Sequence, residues 1–238
     1  MSGSCGGEGS RVDRAAGARP INALAAMTLV LAHPQRTFER LTERPHWVLP
    51  LVFVVAAPMV SAVYAVRSGF MDELVPAEAA LAGGGLAGVR AALLSQAILM
   101  AVVGIPLVIL LETLLFRLAG TLAGGRASFR VVFSAVAHAS IPVGIGALVL
   151  GCFLRFTGTA RAGLNLGFLI EPVRHPHLWS ILRQIDLFSV WLFALLGIAA
   201  EPVFGLPRRR ARAATVAFAL AYILIMSWSG RGAVGPGM

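Results

Sequence analysis

The sequence predicts an all-α integral membrane protein: a bundle of about five transmembrane helices preceded by an N-terminal interfacial amphipathic helix. Three observations carry this. No Asp, Glu, Lys or Arg occurs between Arg44 and Arg67, between Arg130 and Arg155, or between Arg212 and Arg231. A bilayer core takes roughly 20 apolar helical residues to cross, whereas a soluble core helix of that length keeps a polar face. Hydrophobic residues make up 58% of the chain and charged residues 13%, about half the charged share of a soluble domain. Finally, the basic residues bracket the apolar runs, where they set topology and meet anionic headgroups. The formal charge of +9 therefore points to a membrane surface and not to nucleic acid.

Residues 1–20 are small, polar and charged and read as a disordered tail. Residues 21–45 read as an interfacial segment: 21–32 is apolar but too short to span, and 35–41 is amphipathic. The rival reading is a signal peptide, with Arg11, Arg14 and Arg19 ahead of an apolar core and Val30-Leu31-Ala32 as a cleavage site. The membrane domain covers residues 46–230, with spans expected at 46–66, 91–116, 131–154, 185–206 and 213–229, and residues 231–238 form a tail. The fourth span is the least sharply bounded, because its charge-free part runs only from Leu187 to Ala200.

All twenty basic residues are Arg, a bias that points to a GC-rich bacterial genome. With the N-terminus inside, thirteen of them are cytoplasmic: Arg11, Arg14, Arg19, Arg36, Arg40, Arg44, Arg117, Arg126, Arg130, Arg208, Arg209, Arg210 and Arg212. The other seven lie outside, and the first outer loop adds Asp72, Glu73 and Glu78. This bias predicts an inner-membrane protein with a cytoplasmic N-terminus.

Three polar residues stand in or beside the spans. Glu112 is an intramembrane carboxylate, costly enough to need a partner. Glu112 lies five residues before Arg117, about 7–8 Å from the cytoplasmic end, and His138 eight residues beyond Arg130, about 12 Å from that end. Similar depth allows a Glu112–His138 hydrogen bond. The plainer reading has Glu112 snorkelling toward Arg117 and Arg130 while His138 bonds a carbonyl. Asp186 opens the fourth span, either lining an outer cavity with Arg183 or His177 or serving as a helix-start carboxylate.

Pro142 interrupts the third span. Ser140, Gly144, Ala147 and Gly151 share one helix face, suited to close packing or to homo-oligomer contacts, with Ala214, Ala217 and Ala221 as a possible counterpart. A kinked, substrate-lining helix is the alternative. Gly83-Gly84-Gly85 and Gly124-Gly125 read as turns. Glu171, His175 and His177 do not make a metal site, since Pro172 and Pro176 break the helix that such a site would need. Cys5 and Cys152 have no metal-type or disulfide spacing. No catalytic motif is present, and no cofactor is expected.

Five stretches resemble the Yip family, the Ypt/Rab-interacting membrane proteins, in its bacterial form. His33-Pro34-Gln35-Arg36-Thr37-Phe38 and Arg44-Pro45-His46-Trp47-Val48-Leu49-Pro50 resemble the family's entry helix and first span. Gly124-Gly125-Arg126-Ala127-Ser128-Phe129 with Ala137-His138-Ala139-Ser140-Ile141-Pro142 resembles its inner hairpin and next span, and Ile185-Asp186-Leu187-Phe188-Ser189-Val190-Trp191 the start of its fourth. The resemblance implies a five-helix bundle with a cytoplasmic N-terminus. Eukaryotic relatives are membrane adaptors for small GTPases in vesicle traffic; their Asp-Leu-Tyr-Gly-Pro and Gly-Tyr signatures are not found here, so a GTPase partner does not carry over.

The expected function is a non-enzymatic scaffold or adaptor in the lipid bilayer. The rival is a small transporter or channel built on Glu112, His138 and Asp186. A lipid-acting enzyme is disfavoured, since Ser140 and His138 point about 200° apart around a helix.

Overall fold

Large apolar side chains cover the outside of this protein as densely as its inside. Leu107, Leu110, Leu114 and Leu118 recur every three or four residues and are all exposed. Such a stripe is what lipid solvates and water does not. The computed structural model describes residues 23–67, 85–157, 165–170, 174–182 and 184–229. The expected tails, the acidic first outer loop, Cys5, Gly83-Gly84, Glu171 and Arg183 lie outside the described residues.

Among the described residues, five helices are long and apolar enough to cross a membrane: Val48–Arg67, Ala87–Leu122, Phe129–Thr157, Leu187–Phe204 and Arg208–Ser227. This is a multi-pass membrane protein. Two short helices precede the spans, α1 (Ala23–Ala32) and α2 (Pro34–Glu43). Span 1 is α3 (Val48–Arg67). Span 2 joins α4 (Gly85–Leu99) through a π turn, Met100–Gly104, to α5 (Ile105–Leu122). Pro106 lacks an N–H, and the ladder adjusts to it: the Ile105 N–H donates to the Met100 carbonyl five residues back. Span 2 is accordingly longer than the charge-free run suggests, extending past Glu112 and Arg117.

Span 3 is broken at Ser140 into α6 (Phe129–Ala139) and α7 (Ile141–Thr157). Pro142 cannot bond the carbonyl of His138, and the Val143 and Gly144 amides both donate to the Ser140 carbonyl instead. A short helix, α8 (Pro176–Leu182), precedes span 4, which is α9 (Leu187–Phe204), and span 5, which is α10 (Arg208–Ser229). Gly124 (φ 93°) ends α5 and Gly205 (φ 66°) ends α9, both in the left-handed region that a side chain opposes. Those two glycine turns sit together, since the Arg126 amide donates to the Phe204 carbonyl at 3.3 Å.

Span 4 is the hub, packing on α2, α6, α7 and span 5, while span 1 packs most extensively on α7. Helix α2 is integrated with this bundle and not simply laid against it. Its Thr37, Phe38 and Leu41 are buried, and Phe38 and Leu41 join Val30 of α1 with Val132, Val136 and Leu196 in one core.

Candidate functional site

Two polar clusters occupy the interior. In the first, Glu112 is 4% exposed, so it does not snorkel to the headgroups. It shares a side-chain hydrogen bond with Tyr222 of span 5, which also lies within electrostatic reach of Asp186. Glu112 Oε2 has no hydrogen-bond partner. The second cluster joins span 3 to the entry of span 1. His138 Nδ1 lies 2.8 Å from the Ser134 carbonyl, the Ser134 hydroxyl donates to the His46 carbonyl at 2.8 Å, and His46 Nδ1 lies 3.1 Å from the Arg44 carbonyl.

The rings of His46 and His138 meet edge to face with centroids 5.0 Å apart. Each Nδ1 faces a carbonyl and so carries the hydrogen. Each Nε2 is buried without a partner.

The structure therefore gives Glu112 and His138 separate partners, Tyr222 and the His46–Ser134 pair. Neither Tyr222 nor Ser134 was legible as a partner, because both depend on which spans adjoin. Tyr222 had one signal, as one of only two tyrosines in the chain and within a span. We expect Tyr222→Phe to destabilise the bundle by about 1 kcal/mol, between the average of about 0.6 and the maximum of about 1.7 kcal/mol known for hydrogen bonds between transmembrane side chains. Unfolding in mixed detergent micelles measures it, and unchanged stability would show that the bond contributes nothing.

Asp186 stands immediately before span 4. Its Oδ1 accepts from the Phe188 and Ser189 amides at 2.7 Å, capping span 4. It also borders a cavity of about 240 Å³ with Gly146, Ala147, Leu150 and Asn165. His177 is not among the residues that line it.

The small-residue face of span 3 has a different counterpart from the alanines of span 5. A Cβ on Gly151 would stand 2.7 Å from the Ser61 Cα, and one on Gly144 would stand 2.8 Å from the Phe53 ring, both in span 1. Span 5 packs chiefly on spans 2 and 4. Ser140 turns its hydroxyl to the Val136 carbonyl at 2.9 Å, and Ala147 borders the cavity beside Asp186. Gly144 and Gly151 are thus used up within the chain and present no close-packing surface to a second copy.

The family model of the Yip1 domain matches residues 28–230. The chain belongs to the Yip1 domain family. No curated protein and no solved structure matches it. The domain starts inside α1 and runs past the end of span 5, so the entry helices belong to it as fully as the spans do. The arginine-rich end of this Yip1 domain carries two adjoining cavities of about 430 and 670 Å³, both bordered by Gln35, Ile198 and Arg208. A further, almost wholly apolar pocket of about 370 Å³ lies on the flank between Trp47, Pro106 and Phe133. Among the described residues, no group of three or more His, Cys, Asp or Glu could hold a metal ion.

Proposed function

We propose that this Yip1 domain protein is a non-enzymatic adaptor of the bacterial inner membrane, which gathers protein partners on a cytoplasmic, arginine-rich face. The arginine distribution of the loops supports a cytoplasmic N-terminus. The observation that supports an adaptor is the way α2 is held. Its apolar face is sunk into the core through Thr37, Phe38 and Leu41, and its opposite face leaves Arg36, Glu39, Arg40 and Glu43 exposed. Exposed Arg209 and Arg210 stand at the same end of the bundle. A charged surface fixed on a rigid base suits docking, because little ordering is required when a partner binds.

Photo-crosslinkers placed at Arg40 and Arg209 in native membranes test this. Discrete protein adducts are expected there, and Arg40→Glu should remove the adduct formed at Arg209. Labelling no greater than at lipid-facing Leu118 would refute the reading.

The second reading, a small transporter, draws on the unpartnered Glu112 Oε2 in a span interrupted by a π turn and Pro106. Against it, neither Glu112 nor His138 lines any of the four cavities described above. Solute or ion flux in proteoliposomes that is lost in Glu112→Gln would favour transport over docking.

A further inference from the structure

We infer that the double cavity between α2 and spans 4 and 5 is a site for one anionic glycerophospholipid, its phosphate at the arginine mouth and an acyl chain along span 4. The mouth draws Arg36 from α2, and Arg208 and Arg212 from the first turns of span 5. Arg208 and Arg212 are four residues apart and so lie on one helix face. The acidic groups at the mouth are Glu39 and Glu201, which leaves the arginines in excess by three to two.

Those two carboxylates compete weakly. Glu39 accepts from the Gln35 amide at 3.4 Å, within its own helix. Among the described residues, Glu201 pairs with Arg208 Nε at 3.7 Å, with the arginine side chain 74% exposed. An exposed pair of that kind contributes little, and a guanidinium has five N–H donors. The terminal nitrogens of Arg208 thus remain for a phosphate, which accepts paired hydrogen bonds from guanidinium well.

Below the mouth the wall becomes apolar. Ala194, Gly197, Ile198 and Glu201 line the same cavity, and their spacing of three, one and three residues keeps them on one face of span 4. From Glu201 to Ala194 the groove descends about 10 Å, seven residues at 1.5 Å each. Charge at the rim with an apolar floor matches a phospholipid and not a soluble phosphate.

Gly197 explains how the groove is kept open. Glycine inside a helix is unfavourable by about 1 kcal/mol relative to alanine, so a packing reason is normally sought. Packing supplies none here, since a Cβ on Gly197 would meet nothing closer than the Thr215 methyl at 3.7 Å. The contrast is with Gly120, Gly144 and Gly151, where a Cβ would fall 2.5 to 2.8 Å from a neighbour. What the missing side chain of Gly197 leaves is room in the groove.

Native mass spectrometry of the full-length protein, relipidated in turn with phosphatidylglycerol and phosphatidylcholine, tests the site. Wild type should retain one phosphatidylglycerol in preference to phosphatidylcholine. Each of Arg36→Gln, Arg208→Gln and Arg212→Gln should weaken that retention by about five-fold, the effect of one arginine near an anionic surface. Arg209→Gln, whose side chain lines neither cavity, should not.

Gly197→Leu should displace the lipid with every arginine in place. Glycerol 3-phosphate, which has the phosphate without the chains, should fail to compete. Equal retention of the two lipids, or retention unchanged in the triple arginine variant, would overturn the site. Full displacement by glycerol 3-phosphate would overturn the lipid as its occupant. These outcomes are independent of whether proteins dock at Arg40 and Arg209.

Discussion

Gly151→Val is expected to separate span 1 from span 3 and to cost the bundle more than any surface change. At this position the first side-chain carbon alone would fall 2.7 Å from the Ser61 Cα and 2.8 Å from its hydroxyl oxygen. A backbone atom cannot rotate away as a side-chain tip can, so the helices must move apart along their whole contact. Overpacking ordinarily costs about 1–3 kcal/mol and more where the obstruction is rigid, and we expect about 3 kcal/mol or above. In a bilayer that loss has no hydrophobic compensation, because lipid tails are as apolar as the helix surface and association depends on close packing. Detergent unfolding of Gly151→Val beside Gly197→Ala measures it. In the second variant the methyl would meet nothing closer than the Thr215 methyl at 3.7 Å, an ordinary contact, and stability should match wild type or exceed it slightly. Equal stability of the two would show that spans 1 and 3 are not held by this approach.

Phe204→Ala should have the second largest effect, through the opposite fault of a void. The Phe204 ring occupies the space that a Gly120 side chain would need, with a Cβ there falling 2.5 Å from the ring. It meets Phe116 edge to face at 5.2 Å, and Phe116 in turn meets Phe218 at 5.5 Å. One ring thereby ties the end of span 4 to span 2, and through Phe116 to span 5. Removing a buried phenylalanine costs about 3–5 kcal/mol in water-soluble cores. The lower end, about 3 kcal/mol, is expected here, since the separated helices would still find apolar lipid. Because the Phe204 carbonyl accepts from the Arg126 amide, the variant should also loosen the turn between spans 2 and 3. Faster amide exchange at residues 123–127 reports that; unchanged exchange there would place the loss in the ring packing alone.

Both variants mark where the sequence stops being informative. Gly144 and Gly151 were visible as a small-residue face. Its partner was not visible, because span 1 and span 5 look alike as apolar strings. Phe53, Val54 and Ser61 declare themselves only when the helices are side by side. The pair Glu112 and His138 shows the same limit. Their depth could be reckoned from Arg117 and Arg130, but depth does not give azimuth. Glu112 turns to Tyr222, and His138 turns to His46. The amphipathic run in α2 was legible too. That its apolar face meets span 4 depends on surfaces contributed by residues more than a hundred positions away.

What the sequence determines by itself is everything local to one stretch of chain. Charge-free length makes the spans, proline and glycine set the breaks at residues 106, 142, 124 and 205, and Asp186 announces the start of a helix. Backbone hydrogen bonds must be satisfied within each span in lipid, so these features act before any neighbour arrives. Only the tertiary structure decided which helix meets which, where the buried polar groups found partners, and that α2 belongs to the core. Lipid offers every apolar face the same welcome, and selection among them falls to shape: a ring over a glycine, a backbone against a backbone.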